Sequence, residues 1–328
     1  PEKEQEQFEI LHKWLQEKEA AVILTAKISN EKQPVYQLLE YMADCVLQLD
    51  QRVDQQVSTR RLRVIKFRGS GFLSNEHPYL ITRDGSVFLP VSSIDLDFPA
   101  SEEPVGTGHP ILDEILGGGY RRGACILLAG ETGTGKSTLA CMYAKFTCAA
   151  GEKVLYVNLE ESRSAMMRAM LSPGIDLRPE LESGGLKIMS LMPESAGTEE
   201  HLLRILDALE AQGARHMIVD AVSACRRMGS ERAAFDFLVR MISKCKKQGI
   251  TLLFTNQILG RDDVHRISGF GVSSLADIVV VLEYHEVSGA LRRRLLVLKA
   301  RGQSHSHRYH ELVIGNEGIN IRKIADEK

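Results

Sequence analysis

The sequence predicts an α/β fold: a mainly parallel central sheet, finished by antiparallel edge strands and preceded by a truncated copy of its own closing half. Three observations predict it. Residues 124–148 run from an apolar stretch through a glycine-punctuated turn, Gly130 to Gly135, into apolar residues at helical spacing, which reads as strand, phosphate loop and helix. From residue 107 onward, strand-length apolar runs alternate with helical stretches, the pattern of a parallel sheet. Segments near the start also recur near the end in one constant register. Ala43–Leu49 resembles Ala276–Leu282, Lys66-Phe-Arg68-Gly69 resembles Lys299-Ala-Arg301-Gly302, and Asp84-Gly85 sits where Glu317-Gly318 sits.

Taken in order, residues 1–20 place Phe8, Leu11, Trp14 and Leu15 on one helical face, and Ala21–Thr25 reads as a buried strand. Within that strand Ile23-Leu-Thr25 resembles Leu253-Phe-Thr255, at a slightly shorter offset than the other pairs. A polar segment with Pro34 follows; then Val46–Leu49 and Leu62–Gly69 read as an antiparallel pair, and Tyr79–Leu89 as a hairpin turning at Asp84-Gly85. These pieces, residues 1–95, are the expected back part of a first copy, whose front part, with any phosphate loop, is expected upstream of Pro1. Residues 96–106, rich in proline and acid, read as a linker, and residues 107–328 as a complete second copy. In that copy Gly108–Leu116 is a short helix and Val154–Leu159 a strand ending at Glu160-Glu161. Ser162–Leu171 is a helix, Leu186–Ser190 a strand and Thr198–Gln212 a helix. Met217–Asp220 is a strand with an acidic tip, Ala233–Gln248 a helix and Thr251–Thr255 a strand. Ile278–Tyr284, Leu295–Arg301 and Glu311–Ile314 close the sheet.

Composition narrows the class. With 328 residues and 44% apolar content there is ample material for a core, and the net charge of −2 supplies no global field for nucleic acid or anionic lipid. The six cysteines lie in apolar stretches without C-x-x-C spacing, so neither a zinc site nor a disulfide framework is expected. They read as buried thiols of a cytoplasmic protein, and no apolar run is long enough to span a bilayer.

The candidate chemistry sits at strand ends, where α/β sheets bind ligands. Gly130 to Ser137 matches G-x-x-x-x-G-K-[ST]. Gly133 and Gly135 let successive N–H groups point at phosphate oxygens, and the helix that follows adds its positive dipole end. Lys136 reaches the β- and γ-phosphates, and Ser137 offers a hydroxyl to Mg²⁺. Thr132, Thr134 and Thr138 complete the loop, so the expected cofactors are ATP and Mg²⁺. Asp220, after three apolar residues, is placed to hold Mg²⁺ as a Walker-B acid. Glu160 and Glu161 offer a carboxylate to orient or deprotonate the attacking group, with Glu160 also a candidate metal ligand, unless one of them merely caps the next helix. Asn256 closes its strand where it can sense the γ-phosphate. Lys299 and Arg301 alternate on one strand, far from the loop. They read either as a solvated basic edge or as cations serving the nucleotide of an adjacent subunit, as an arginine finger does, and Lys66 and Arg68 repeat the pair.

Several of these motifs together resemble the KaiC family, circadian-clock ATPases and autokinases of the RecA-like P-loop NTPase superfamily. They are Leu112-Asp-Glu-Ile-Leu-Gly-Gly-Gly119, the phosphate loop, Glu160-Glu161-Ser162-Arg163, Pro193-Glu-Ser-Ala-Gly197, and Lys299-Ala-Arg301-Gly302 with His305. The resemblance covers the second copy almost end to end and is strongest to the family's C-terminal domain, with residues 1–95 resembling the tail of its N-terminal domain. It implies stacked hexameric rings with ATP at subunit interfaces, slow hydrolysis, clock or signalling partners, and phosphoryl transfer to a hydroxyl pair that falls on Ser273 and Ser274. It also places Lys299, Arg301 and His305 at the nucleotide. The sequence departs from the family at Ser274, where threonine is usual, at Ala221 after Asp220, and at Pro173, where the clock protein has an aromatic residue.

Two other functions fit the same loop. One is a RecA-like DNA-dependent ATPase or recombinase using Arg226, Arg227 and the stretch Arg261–Gly271, which lacks a stacking platform beyond Phe270. The other is an ATP-dependent scaffold with vestigial hydrolysis.

Overall fold

The computed structural model describes residues 2–18, 20–27, 34–54, 57–83, 85–89, 101–258, 271–316 and 318–324. The chain divides into two compact units, residues 1–52 with 59–91, and residues 92–328 with the short stretch 53–58.

The first unit opens with α1 (Glu2–Glu17), carrying Phe8, Leu11 and Leu15 half-buried, and α2 (Pro34–Met42). Its sheet contains β1 (Cys45–Asp54), β2 (Val57–Phe67), β3 (Glu76–Thr82) and β4 (Gly85–Phe88) in that order. The hairpin expected over residues 79–89 is present as antiparallel β3 and β4. Two expectations fail here. Ala21–Thr25 is irregular chain with Ile23 91% exposed, because a buried strand needs neighbours on both sides and among the described residues this sheet holds only β1–β4. The polar stretch at Pro34 is helical: proline suits a first helical turn, and Tyr36, Leu38, Leu39 and Met42 recur at helical spacing.

The second unit is larger. A two-residue ribbon, β5 (Pro104–Val105) against β6 (Tyr120–Arg121), brackets α3 (Pro110–Ile115). Then come β7 (Cys125–Gly130), α4 (Lys136–Ala149), β8 (Val154–Asn158), α5 (Arg163–Leu171), α6 (Arg178–Glu182), β9 (Leu186–Ser190) and α7 (Thr198–Gln212). β10 (His216–Asp220), α8 (Glu231–Lys247), β11 (Thr251–Gln257), α9 (Val272–Leu275), β12 (Ile278–Val287), β13 (Ala290–Ala300), β14 (His310–Gly315) and β15 (Gly318–Lys323) complete it.

The nine strands run β15-β14-β13-β12-β7-β11-β10-β8-β9. From β12 to β9 every pairing is parallel, and β13–β15 form an antiparallel edge. The predicted mainly parallel sheet with antiparallel edge strands is therefore the observed one. Alternation divides each central strand between two cores. Cys125, Leu127 and Ala129 of β7 join a cluster containing Leu202 and Ile205 of α7 and Phe237, Leu238 and Met241 of α8. Ile126 and Leu128 join a cluster containing Leu112 of α3, Leu139 and Tyr143 of α4 and Met166 of α5. Both faces are covered, which is why these strands read as continuous apolar runs.

The two units share a pattern. β1 and β12 match at both ends in the register that pairs Asp44 with Asp277, as do β2 and β13, and β4 and β15 start in that same register. The four-strand order β1-β2-β3-β4 matches β12-β13-β14-β15. Among the described residues no helix is long and apolar enough to cross a membrane.

Candidate nucleotide site

The phosphate loop leaves β7 at Gly130 and enters α4 at Lys136. Gly135 stands immediately before the helix with φ +104, in the left-handed region, and a Cβ there would lie 2.4 Å from Ile314 Cδ1. Only glycine fits both demands. Lys136 is buried, and its Nζ donates to the carbonyls of Gly130 at 2.9 Å and Glu131 at 2.8 Å, inside the curl of the loop. Burial lowers its pKa, while the charges of Asp220, Glu160 and Glu131 pull the other way. Thr134 is fully buried and its hydroxyl donates to Glu131 O at 2.7 Å, so it braces the loop. Thr132 accepts from Gln257 Nε2 at 2.7 Å, which ties the loop to the end of β11. Ser137 and Thr138 stand in the first turn of α4.

The other expected residues follow neighbouring strands. Asp220 ends β10, buried, with Tyr156 Oη donating to its Oδ2 at 2.6 Å and Thr255 Oγ1 donating to its Oδ1. Asn256, also buried, pairs in register with Ala129 on β7. Glu160 and Glu161 follow β8, and both of their backbone N–H groups donate to Asn158 Oδ1, at 3.1 and 2.9 Å. The cap of α5 is Ser162, which accepts from Ala165 N at 3.2 Å, so neither glutamate serves as the cap. Burial and then the Asp220 charge raise the Glu160 pKa, with Arg227 and Lys136 opposing. Arg227 donates to Leu159 O at 3.3 Å and pairs with Glu194 at 3.2 Å, so it braces the backbone directly before Glu160.

A second group gathers at the opposite end of the sheet. Lys299 Nζ donates to Ser273 O at 3.0 Å and Ala276 O at 2.6 Å, and Arg301 Nη2 donates to Ser274 O at 3.0 Å. Ser274 Oγ donates to Gly271 O at 2.6 Å. Asp277 N donates to Cys125 O, which fixes this cluster beside the start of β7, whereas the phosphate loop leaves its end. The two groups are thus a strand length apart, about 15–20 Å at ~3.3 Å per residue. Both cations hold backbone carbonyls of their own chain, a local use that the sequence reading did not include. His305 belongs to neither group. Its ring centroid lies 4.5 Å from that of His307, in a segment where Ser306 N donates to Ile115 O and Gln303 Nε2 to Leu116 O.

Residues not anticipated from sequence flank the loop. Arg293 Nε donates to Gly133 O at 2.9 Å, its guanidinium carbon lies 5.7 Å from the Tyr284 ring centroid, and a Cβ on Gly133 would fall 2.7 Å from Tyr284 Oη. Tyr284 and Arg293 are directly paired across β12 and β13. The available signal was the position of β12 beside β7, which the linear order of elements conceals. Among the described residues no group of three or more His, Cys, Asp or Glu forms a metal cage. Two carboxylates and a hydroxyl are nevertheless hard oxygen donors that suit Mg²⁺, which takes most of its remaining ligands from phosphates and water. Arg261, Arg266 and Phe270 lie outside the described residues, as do Asp84 and Glu317.

The sequence model described as "ATPase: KaiC" matches residues 1–93 and 105–326. The chain belongs to the KaiC ATPase family. It is 35% identical over 315 residues to the circadian clock protein KaiC2 of Synechocystis sp., covering 95% of this chain and 55% of that protein. It is 33% identical over 313 residues to the circadian clock oscillator protein KaiC of Parathermosynechococcus lividus, covering 94% and 57%. With the protein of the same name from Synechococcus elongatus it shares 31% identity over 308 residues, covering 92% and 59%. The chain spans between half and two thirds of the length of these relatives. The KaiC family match extends over the phosphate loop, both glutamates and the Lys299–Arg301 pair alike.

Proposed function

We propose that this chain binds and hydrolyses ATP at interfaces of a hexameric ring, and that it transfers a phosphoryl group to Ser273 or Ser274 of an adjacent subunit. The observation that carries the reading is the separation of two half-sites within one chain. The loop and Ser137 follow the end of β7, and Asp220 and Glu160 stand at the same edge of the sheet, at the ends of the parallel strands β10 and β8, while Lys299, Arg301 and both serines lie by the start of β7. A ring that sets the start of one sheet against the end of the next completes the site.

In this reading Lys136 and the backbone N–H groups of residues 132–137 bind the phosphates and orient the γ-group. Tyr284 and Arg293 beside Gly133 suit a nucleobase or ribose. Ser137, Asp220 and Glu160 would hold Mg²⁺, whose chemistry is to neutralise charge between phosphates. Glu160 or its neighbour Glu161 takes the proton from the attacking water or serine hydroxyl. Lys299 and Arg301 of the neighbour stabilise charge that develops on the γ-phosphoryl oxygens. His305 joins the same interface. Residues 1–95 are read as the C-terminal part of a first RecA-like domain, 96–106 as a linker, and 107–328 as the ATPase domain, acting in the cytoplasm with clock or signalling partners.

The test is incubation with ATP and Mg²⁺, followed by mass spectrometry of the peptide holding Ser273 and Ser274 and by phosphate release. Phosphopeptide and turnover that both vanish in Lys136→Ala support the reading. Turnover without phosphopeptide in a demonstrated hexamer removes the kinase half, and equal turnover by Lys136→Ala removes both.

A further inference from the structure

The motif that finds Asp220 says nothing of what orients it. Asp220 lies on β10 on the same face as Ile218, toward α4, between β8 and β11. Each flanking strand sends one hydroxyl to it: Tyr156 of β8 to Oδ2 at 2.6 Å, and Thr255 of β11 to Oδ1. Tyr156 and Thr255 are both fully buried. The phenol oxygen in turn lies 3.8 Å from the thiol of Cys141, one helical turn beyond Ser137 on α4. The network therefore joins the Asp220 carboxylate to the helix that carries Ser137, another of the expected ion-binding residues.

A carboxylate held through one oxygen still turns about its Cβ–Cγ bond; donors on both oxygens, from opposite sides, prevent that. A buried phenol must also find a partner, and Tyr156 finds it in the Asp220 carboxylate. We propose that Tyr156 is a positioning residue for Asp220, fixing with Thr255 the orientation in which the carboxylate meets the divalent cation that accompanies the nucleotide. The inference rests on the nucleotide-site reading above and adds a residue that no phosphate-binding motif contains.

The experiment measures ATP affinity calorimetrically, with Mg²⁺ and with EDTA, for oligomers matched in size. The wild-type chain is expected to bind ATP more tightly with Mg²⁺. Tyr156→Phe keeps the ring and its packing; it is expected to lose on the order of tenfold of that gain, the size of a lost hydrogen bond to a charged group, with affinity in EDTA changed by no more than about twofold. Thr255→Val, which removes the other donor, is expected to act in the same direction. Tyr143→Phe is the control for a merely structural hydroxyl: its Oη lies 2.7 Å from His216 Nδ1, at the far end of the sheet, and its Mg²⁺ gain should equal wild type. A Tyr156→Phe gain equal to wild type, or lowered no more than in Tyr143→Phe, overturns the positioning role. A wild-type chain that binds ATP with no Mg²⁺ gain overturns this inference alone, and one that binds no ATP under either condition overturns the nucleotide reading on which it rests.

Discussion

Arg301 donates to the backbone carbonyl of Ser274 at 3.0 Å, and Arg68, its counterpart in the first unit, makes the same bond to Tyr41 at 3.0 Å. The correspondence extends further. Arg68 N donates to Asp44 O and Arg301 N to Asp277 O, each guanidinium approaches the same aspartate's side chain, and Lys66, like Lys299, donates to two backbone carbonyls. Glu40 and Tyr41 stand where Ser273 and Ser274 stand, so the grip reads carbonyls and not hydroxyls. Within one chain these cations hold the segment in place whatever its side chains are.

Their proposed second duty, toward the neighbour's nucleotide, predicts complementation. Arg301→Ala and Lys136→Ala chains should each be inactive in phosphate release. Rings assembled from both should recover turnover, because some interfaces join an intact loop to an intact Arg301. A mixture no more active than its components would confine Arg301 to its own chain.

Gly135 gives a sharper local prediction. Its φ of +104 disfavours any side chain, and a Cβ would meet Ile314 Cδ1 at 2.4 Å. Gly135→Ala should cost on the order of 1–3 kcal/mol in chemical unfolding and greatly weaken ATP binding. Truncating the obstacle, in Gly135→Ala with Ile314→Ala, should not restore binding, since the backbone conformation remains wrong. Full rescue by the double variant would show that contact alone sets the requirement.

The sequence made the central sheet legible because its strands are buried on both faces and separated by amphipathic helices, two signals that need no tertiary context. The phosphate loop, Asp220 and Glu160 were readable because each ends such a strand. What stayed hidden depends on strand order. Tyr284 and Arg293 reach Gly133 only because β12 lies beside β7, and Tyr156 and Thr255 reach Asp220 only because β8 and β11 flank β10. Residues 21–25 misled for the opposite reason. Their apolar run matches a central strand, but an apolar run is a strand only where a sheet exists to receive it.

Arg227 joins Leu159 O to Glu194 directly before Glu160, a contact that links the end of β8 to the turn after β9. If Glu160 takes the proton, its placement matters more to the chemical step than to binding. Arg227→Met should lower kcat about tenfold with KM for ATP nearly unchanged, and Arg227→Lys should recover part of the loss. A rise in KM at constant kcat would instead assign Arg227 to nucleotide binding.

Glu152 sits at the other end of the sheet, a quarter exposed, bound by Arg122 through both oxygens at 2.7 and 2.9 Å and by buried His216 at 2.9 Å. The Arg122 hydrogen bonds, chiefly, lower its pKa from 4.5 to about 2, and His216 assists. A carboxylate whose pKa is depressed on folding contributes stability that is fully present above the unfolded value and lost as pH falls through the folded one. Urea unfolding of wild type and Glu152→Gln should therefore differ most at and above pH 4.5, and the difference, on the order of 1 kcal/mol after solvent screening, should shrink as pH falls toward 2. Tyr143 completes the chain of contacts through His216 Nδ1, so the loss should also appear as faster amide exchange at the start of β10. A stability gap that stays constant from pH 4.5 to 2 would mean that the Arg122 pair is no stronger in the folded chain than in the unfolded one.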